Sequence, residues 1–241
     1  MRIRQLIVFL FILVAGGLSC SKDDAEVLDY KTLGSSANGF LSSSQYQSLE
    51  LEISYMKGYQ LTDAVINHLT NYLQTYLNKP GGIRFYPQLI NSTATTTMGI
   101  NDVVALEKKV RTKFTRPGVI AVHIMVLDAE FTEYTVLGNA YWNTSMAVYG
   151  RTIDRYSGGN GQVSPDQLFI TLIEHEFGHL LGLVDQGTSM VTQHKDVNNG
   201  AHCINPYCLM HHVIETTSSG APQVPLLDNN CIADLRNNGG K

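Results

Sequence analysis

The chain has 241 residues, 44% of them hydrophobic and 16% charged, with a formal net charge of −4. That is the composition of a globular protein of one medium domain, long enough to bury a full core. It excludes nucleic acid as the main partner, because phosphate binding needs a clustered excess of Lys and Arg that this chain lacks. No internal repeat stands out.

Residues 1–4 form a short basic stretch, Leu6 to Ala15 is an unbroken apolar run, and residues 16–19 are mostly small and lead to Cys20. The apolar run is too short to cross a bilayer as a mature helix, so residues 1–19 are expected to be a secretory signal peptide. The order resembles the lipobox of a bacterial lipoprotein, with Gly17 standing where Leu is usual. That resemblance implies a lipidated Cys20, a membrane partner through that lipid, and a place in the cell envelope as an outer-membrane lipoprotein. The acidic pair Asp23 and Asp24 resembles the export signal of surface-exposed lipoproteins, and reads equally as part of a solvated linker. Residues 20–47, rich in Ser and Gly, are expected to be the lipidated N-terminus and a flexible tether. Residues 48–241 form the expected domain.

Structure is predicted to begin with Leu49 to Tyr55, whose strict alternation is a strand signal. Leu61, Val65, Leu69, Leu73 and Leu77 recur every fourth residue and predict one face of an amphipathic helix, ended by Pro80 and two glycines. Ile83 to Ile90 is a second strand. Asn101 to Phe114 reads as a helix capped by Asn101. Val119 to Leu127 is nearly continuous and apolar, as a strand covered on both faces would be, and belongs in the middle of a sheet. Val136 to Trp142 and Met146 to Ile153 are two further strands. The mixture implies an α/β (α+β) domain: a sheet with helices packed against it.

The next helix has a well-formed start, with Ser164 at the cap, Pro165 at the first helical position and Gln167 three residues after the cap. It is expected to end near Leu181, before Gly182. On it lie His175, Glu176 and His179. Two histidines four apart project from one side of a helix, so both imidazoles can reach one metal ion. Glu176, displaced by about 100° around the axis, can face a metal-bound water without replacing it. One catalytic Zn2+ held there would acidify the water, and Glu176 would take its proton as general base.

The run from His175 to Asp185 resembles the metzincin signature, in which a third ligand follows the second His by six residues, after a glycine turn. Gly182 occupies the turn, and Asp185 stands where His is usual, as in the snapalysins. The resemblance implies a metal set of His175, His179 and Asp185. His194 and His202, on the following loop, remain open as alternatives for the third ligand. The family also places a methionine in a tight turn beneath the ligands, and Met210 is the expected one. The spacing Cys203-x4-Cys208-x-Met210 resembles archaemetzincins, which use such cysteines with two more to hold a second zinc. This chain has only Cys231 beyond them, so a Cys203–Cys208 disulfide is the simpler expectation. His212, two places after Met210, stands where some metzincins carry an oxyanion-stabilising tyrosine and is a second candidate catalytic residue.

The fold implied by the resemblance is a metzincin-like zincin domain. It has a mixed, mostly parallel twisted sheet with an antiparallel edge strand, an active-site helix, the methionine turn and a C-terminal helix over Leu226 to Asn237. The function implied is that of a monomeric zinc endopeptidase acting on a peptide or protein substrate, which would lie along the edge strand at Val136 to Trp142. Two alternatives stay open: a surface lipoprotein that binds a protein or glycan through a non-catalytic zinc site, and a zinc amidase acting on cell-wall peptides.

Overall fold

A computed structural model of the protein describes residues 31–218 and 224–241. The expected signal peptide over residues 1–19 and the expected lipid site Cys20 lie outside the described residues. No described helix is long and apolar enough to cross a membrane.

In chain order the elements are α1 (Ala37–Leu41), β1 (Tyr46–Met56), α2 (Asp63–Tyr76), β2 (Ile83–Ile90), β3 (Thr97–Met98), α3 (Ile100–Val110) and β4 (Gly118–Leu127). Then come β5 (Glu130–Phe131), β6 (Gly138–Trp142), β7 (Ser145–Tyr149), α4 (Gly150–Tyr156), α5 (Pro165–Leu180) and α6 (Asn229–Asn237). The main sheet has the order β2-β1-β4-β7-β6. Its first three pairings are parallel and only β6 is antiparallel, so β6 forms an edge. β3 and β5 pair separately.

β4 sits at the centre, as its continuous apolar run predicts, and Ile120 to Leu127 have no exposed surface. One face of the sheet, carrying Leu51, Ile53, Val122, Ile124, Met146 and Val148, packs into the same core as residues of α2 and α5. α5 also packs against α2 and β6. This places the motif helix directly beneath the open edge of the sheet.

The other face departs from the alternation seen in the sequence. Glu50, Glu52 and Ser54 would point to water on a half-exposed strand, yet all three are buried. The chain after α3 covers the two carboxylates, while the Ser54 hydroxyl bonds His123 on β4 and Gln88 on β2. Arg116 makes a bidentate pair with Glu50, at 2.8 Å to each oxygen. Glu52 accepts from the backbone N–H groups of Thr112 and Lys113. Nearby, Glu107 accepts from Arg111, Ser145 and Tyr141, which ties α3 to β7 and to the edge strand β6.

Four boundaries differ from the sequence expectation. Residues 37–47 are not a tether: α1 and the start of β1 fall there, and Phe40 and Leu41 are fully buried. The Ser and Gly content around this apolar pair hides it from a compositional reading. α3 is capped by Gly99, whose N–H bonds the Asp102 carboxylate, and it stops at Val110. β7 ends at Tyr149, and the apolar residues beyond it turn into α4. Finally, α6 starts at Asn229, capped by Asp228, whose carboxylate accepts from the Cys231 N–H.

Candidate metal centre

α5 begins as expected, with the Ser164 hydroxyl accepting from the Gln167 N–H and Pro165 in the first turn. The helix is buried along most of its length, and its polar motif residues are buried with it: His175, Glu176 and His179 are all less than a tenth exposed. Buried imidazoles and carboxylates need partners: the Leu209 carbonyl lies 2.7 Å from His175 Nδ1, and the Ala140 N–H serves Glu176.

The loop between α5 and α6 brings the third imidazole. His202 stacks on His175 with ring centroids 5.2 Å apart and meets His179 edge-on at 5.1 Å. One ligand atom from each of His175, His179 and His202 lies within 4.8 Å of the others, so the three could hold a metal ion. His202 is fixed by the backbone on both sides. Its carbonyl accepts from the Asp196 N–H, and the next residue, Cys203, donates its N–H to the Met210 carbonyl, 2.7 Å in each case.

The expectation that Asp185 completes this set is not met. Asp185 points to solvent, with 59% of its side-chain surface exposed, and its nearest charged partner is Lys195 Nζ at 4.0 Å. The reason lies in the backbone. After Gly182 (φ 70°) both Val184 (φ 58°) and Asp185 (φ 64°) adopt the left-handed conformation, and this turn directs Asp185 away from the helix axis. His194 is not at this centre either. It is buried beside α6, its Nε2 2.7 Å from the Asp234 carboxylate.

Glu176 stands beside the three rings. Its carboxylate accepts from the Ala140 N–H of β6 at 2.6 Å. Burial raises its pKa to about 7, against the lowering effect of that hydrogen bond. Burial lowers His175 to about 4, opposed by its bond to the Leu209 carbonyl, and it also lowers His179 and His202. Three neutral imidazoles are the donor form a divalent transition metal requires. Zinc takes nitrogen donors and, in catalytic sites, three protein ligands with an open fourth position, so the residues present fit it.

Met210 lies beneath the histidines. It is fully buried, and a Cβ added to Gly178 would meet its sulfur at 2.2 Å. The glycine inside the motif therefore makes room for the methionine. His212 is near the centre, at a ring distance of 6.4 Å from His202, with Nδ1 3.6 Å from Asp196. Gly138, at the start of β6, uses its missing side chain for packing: a Cβ there would meet the Ala147 carbonyl and Leu172.

A cavity of about 520 Å³ opens next to His175, Glu176 and His202. Its remaining wall is mainly apolar, from Val136, Leu137, Tyr156, Leu172, Val213 and Ile214.

The three described cysteines are buried free thiols, so the expected Cys203–Cys208 disulfide is not formed. Cys208 Sγ lies 3.6 Å from Cys231 Sγ. His194, Cys203, Asp228 and Cys231 make a second group whose donor atoms lie within 4.8 Å of one another. This group sits just behind the methionine turn, where Cys208 Sγ also accepts from the Met210 N–H.

No protein-family profile matches the sequence, and no curated protein sequence matches it. The fold is similar to that of archaemetzincin from Methanopyrus kandleri. That match covers 80% of this chain and 96% of the other, with a TM-score of 0.52 at 12% identity. The likeness shows the fold: a mixed, mostly parallel sheet with one antiparallel edge strand and helices packed on it.

Proposed function

We propose that the chain is a zinc-dependent endopeptidase, with His175, His179 and His202 holding the metal and Glu176 acting as general base. The observation that carries this reading is the convergence of three imidazoles, two of them buried and one half-buried, with one carboxylate. That carboxylate is anchored by the edge strand along which a peptide would lie. The archaemetzincin-like fold supports it.

A bound zinc supplies Lewis acidity, polarising the scissile carbonyl and making a water acidic enough to lose a proton near neutral pH. The chain's own residues do the rest. Ala140 N–H holds one oxygen of Glu176, which leaves the other free to take the proton of the attacking water. A pKa near 7 suits a group that must accept a proton and then return it to the leaving amine. β6, paired on one side only, offers its outer edge for main-chain hydrogen bonds to an extended peptide. The apolar cavity beside Glu176 would then receive one side chain adjacent to the scissile bond. His212, which lines the same cavity, would donate a hydrogen bond to the substrate oxyanion.

The archaemetzincin resemblance also supports a second, structural ion. Asp228 and Cys231 have the spacing of a Cys-x-x-Cys pair with aspartate at its first position, and with Cys203 and His194 they offer a closed donor set. The sequence further supports attachment to a membrane through lipid on Cys20, which mass spectrometry of the membrane fraction would test.

The direct test of the reading is digestion of a mixed peptide library by the zinc-loaded protein, with and without chelator. Glu176→Gln should keep its metal and lose at least about 10²-fold in turnover, the usual scale for a general base. Cleavage that persists in Glu176→Gln, or after complete metal removal, would overturn it.

A further inference from the structure

A metal-binding imidazole works best when its other nitrogen is held by an oxygen acceptor. That bond fixes the tautomer and the ring direction, and it makes the ligating nitrogen more basic. Two of the three histidines obtain this from main chain. His175 Nδ1 lies 2.7 Å from the Leu209 carbonyl oxygen, and His202 Nδ1 lies 2.5 Å from that of Asn199. In each case Nε2 is left for the metal. His179 has no such carbonyl. Its Nδ1 is buried without a well-formed hydrogen bond, and the Oε1 of Gln186 is buried in the same condition. The two unpartnered atoms are complementary, a ring N–H donor and an amide oxygen acceptor, and both residues line the same cleft at the centre.

We propose that Gln186 is the positioning residue for His179, its side-chain oxygen accepting the Nδ1–H so that Nε2 is presented to the metal. The inference rests on the zinc reading above.

The backbone supports it independently. Among the described residues, Val184 and Asp185 are the only non-glycine positions with positive φ, and they immediately precede Gln186. A left-handed conformation is unfavourable for a residue with a Cβ, and most for a β-branched one such as Val184. Such strain persists where surrounding structure enforces it, and it clusters at functional sites. Here the enforcement is visible. The Gly182 carbonyl accepts from both Gln186 N and Thr188 N, and the Thr188 hydroxyl donates to the Leu181 carbonyl. Gly34 lies against this turn so closely that a Cβ there would overlap the Gln186 carbonyl, and a Cβ on Gly187 would overlap the Gly34 carbonyl. Ser36 is in turn bound by Asn143, in the turn between β6 and β7. Residues 34–36 thus brace the turn that carries Gln186. The same left-handed step that turns Asp185 outward directs Gln186 inward, so the residue after the expected ligand serves the ligand set indirectly.

Because the partners of His175 and His202 are main chain, only the His179 partner can be removed by substitution. The experiment is a cobalt titration of the metal-free, full folded chain. It follows the ligand-field bands of the nitrogen-donor site and separates them from thiolate-to-metal charge transfer at the cysteine group. Gln186→Ala and the shape-preserving Gln186→Met should each weaken metal binding at the histidine site by about 10–100-fold. Gln186→Glu, which keeps the acceptor, should restore binding to the wild-type level or beyond. The ¹⁵N shifts of His179 should report an Nδ1–H tautomer in the wild type and a tautomer mixture in Gln186→Met. Affinity in Gln186→Met within twofold of wild type, with an unchanged tautomer, would overturn the assignment of Gln186 alone. A wild-type chain that binds no metal at the histidines would instead overturn the zinc reading on which it rests.

Discussion

Gly178 and Met210 share one space: the methionine sulfur lies 2.2 Å from where a glycine Cβ would be, directly under the turn of helix that carries both motif histidines. A methyl group at 178 must push Met210 or bend α5. Overpacking of this kind typically costs 1–3 kcal/mol. Gly178→Ala should therefore lower the thermal midpoint by several degrees and weaken metal binding together, because the displaced turn also carries Leu209, the partner of His175. Differential scanning calorimetry with and without zinc checks both. An unchanged midpoint would mean that the methionine turn is looser than its packing implies.

The apolar cavity gives a prediction about cleavage preference. With Val136, Leu137, Tyr156, Leu172 and Ile214 in its wall and about 520 Å³ of space, it suits a large apolar side chain next to the scissile bond. Ile214→Trp should fill it and shift preference toward Ala and Gly at that one position, while metal content stays the same. Library digestion followed by mass spectrometry reads the shift. A profile identical to that of wild type would place the specificity pocket elsewhere.

Acid stability should depend on Glu107. Burial alone would raise its pKa, but the nearby His123 ring, hydrogen bonds from Ser145 and Tyr141, and the Arg111 charge bring it down to about 2, from an ordinary 4.5. A carboxylate whose folded-state pKa is depressed stabilises the fold above its unfolded pKa and loses that contribution as pH falls through the folded value. The stabilisation, on the order of 3 kcal/mol at neutral pH, should be lost between about pH 4.5 and pH 2. Glu107→Gln should unfold more easily at pH 7 and show a flatter stability profile across that acid window. Since Glu107 accepts from Tyr141 on β6, the variant should also weaken peptide binding along the edge.

The thiol group predicts a second metal equivalent. If His194, Cys203, Asp228 and Cys231 hold an ion, Cys231→Ser should release one zinc per chain and lower thermal stability. Peptide cleavage by the remaining centre should fall less than in any variant of the motif histidines. Metal analysis together with free-thiol titration separates this from a simple packing role. Thiols that react equally fast with and without zinc would contradict it.

Much of the fold was legible because its signals are periodic and local. The apolar run of β4 gave its central place, and the fourfold spacing in α2 and the cap of α5 gave their helices. His175, Glu176 and His179 were legible because a helix fixes their relative directions whatever the rest of the chain does. The third position was not, because it depends on a turn. Motif spacing points to Asp185, but two left-handed residues reverse the outcome, and nothing in Val184 announces that it will adopt such a conformation. His202 comes from a loop whose path is set by tertiary contacts such as the Cys203–Met210 bond. Gln186 carries no sequence signal of its own. The burial of Glu50 and Glu52 was hidden for a related reason: a strand's alternation states which face is polar, and only the packing of residues 111–116 shows that this face is covered.

The central claim is the identity of the metal set, and metal analysis of three variants tests it most directly. His202→Ala should lose one zinc per chain relative to wild type, with loss of peptide cleavage, because a three-imidazole site becomes a two-ligand site open to water. Asp185→Ala should keep full zinc and near-normal cleavage, since its side chain is 59% exposed and faces Lys195. His194→Ala should disturb only the thiol group. The opposite pattern, with zinc lost from Asp185→Ala and retained in His202→Ala, would contradict the account.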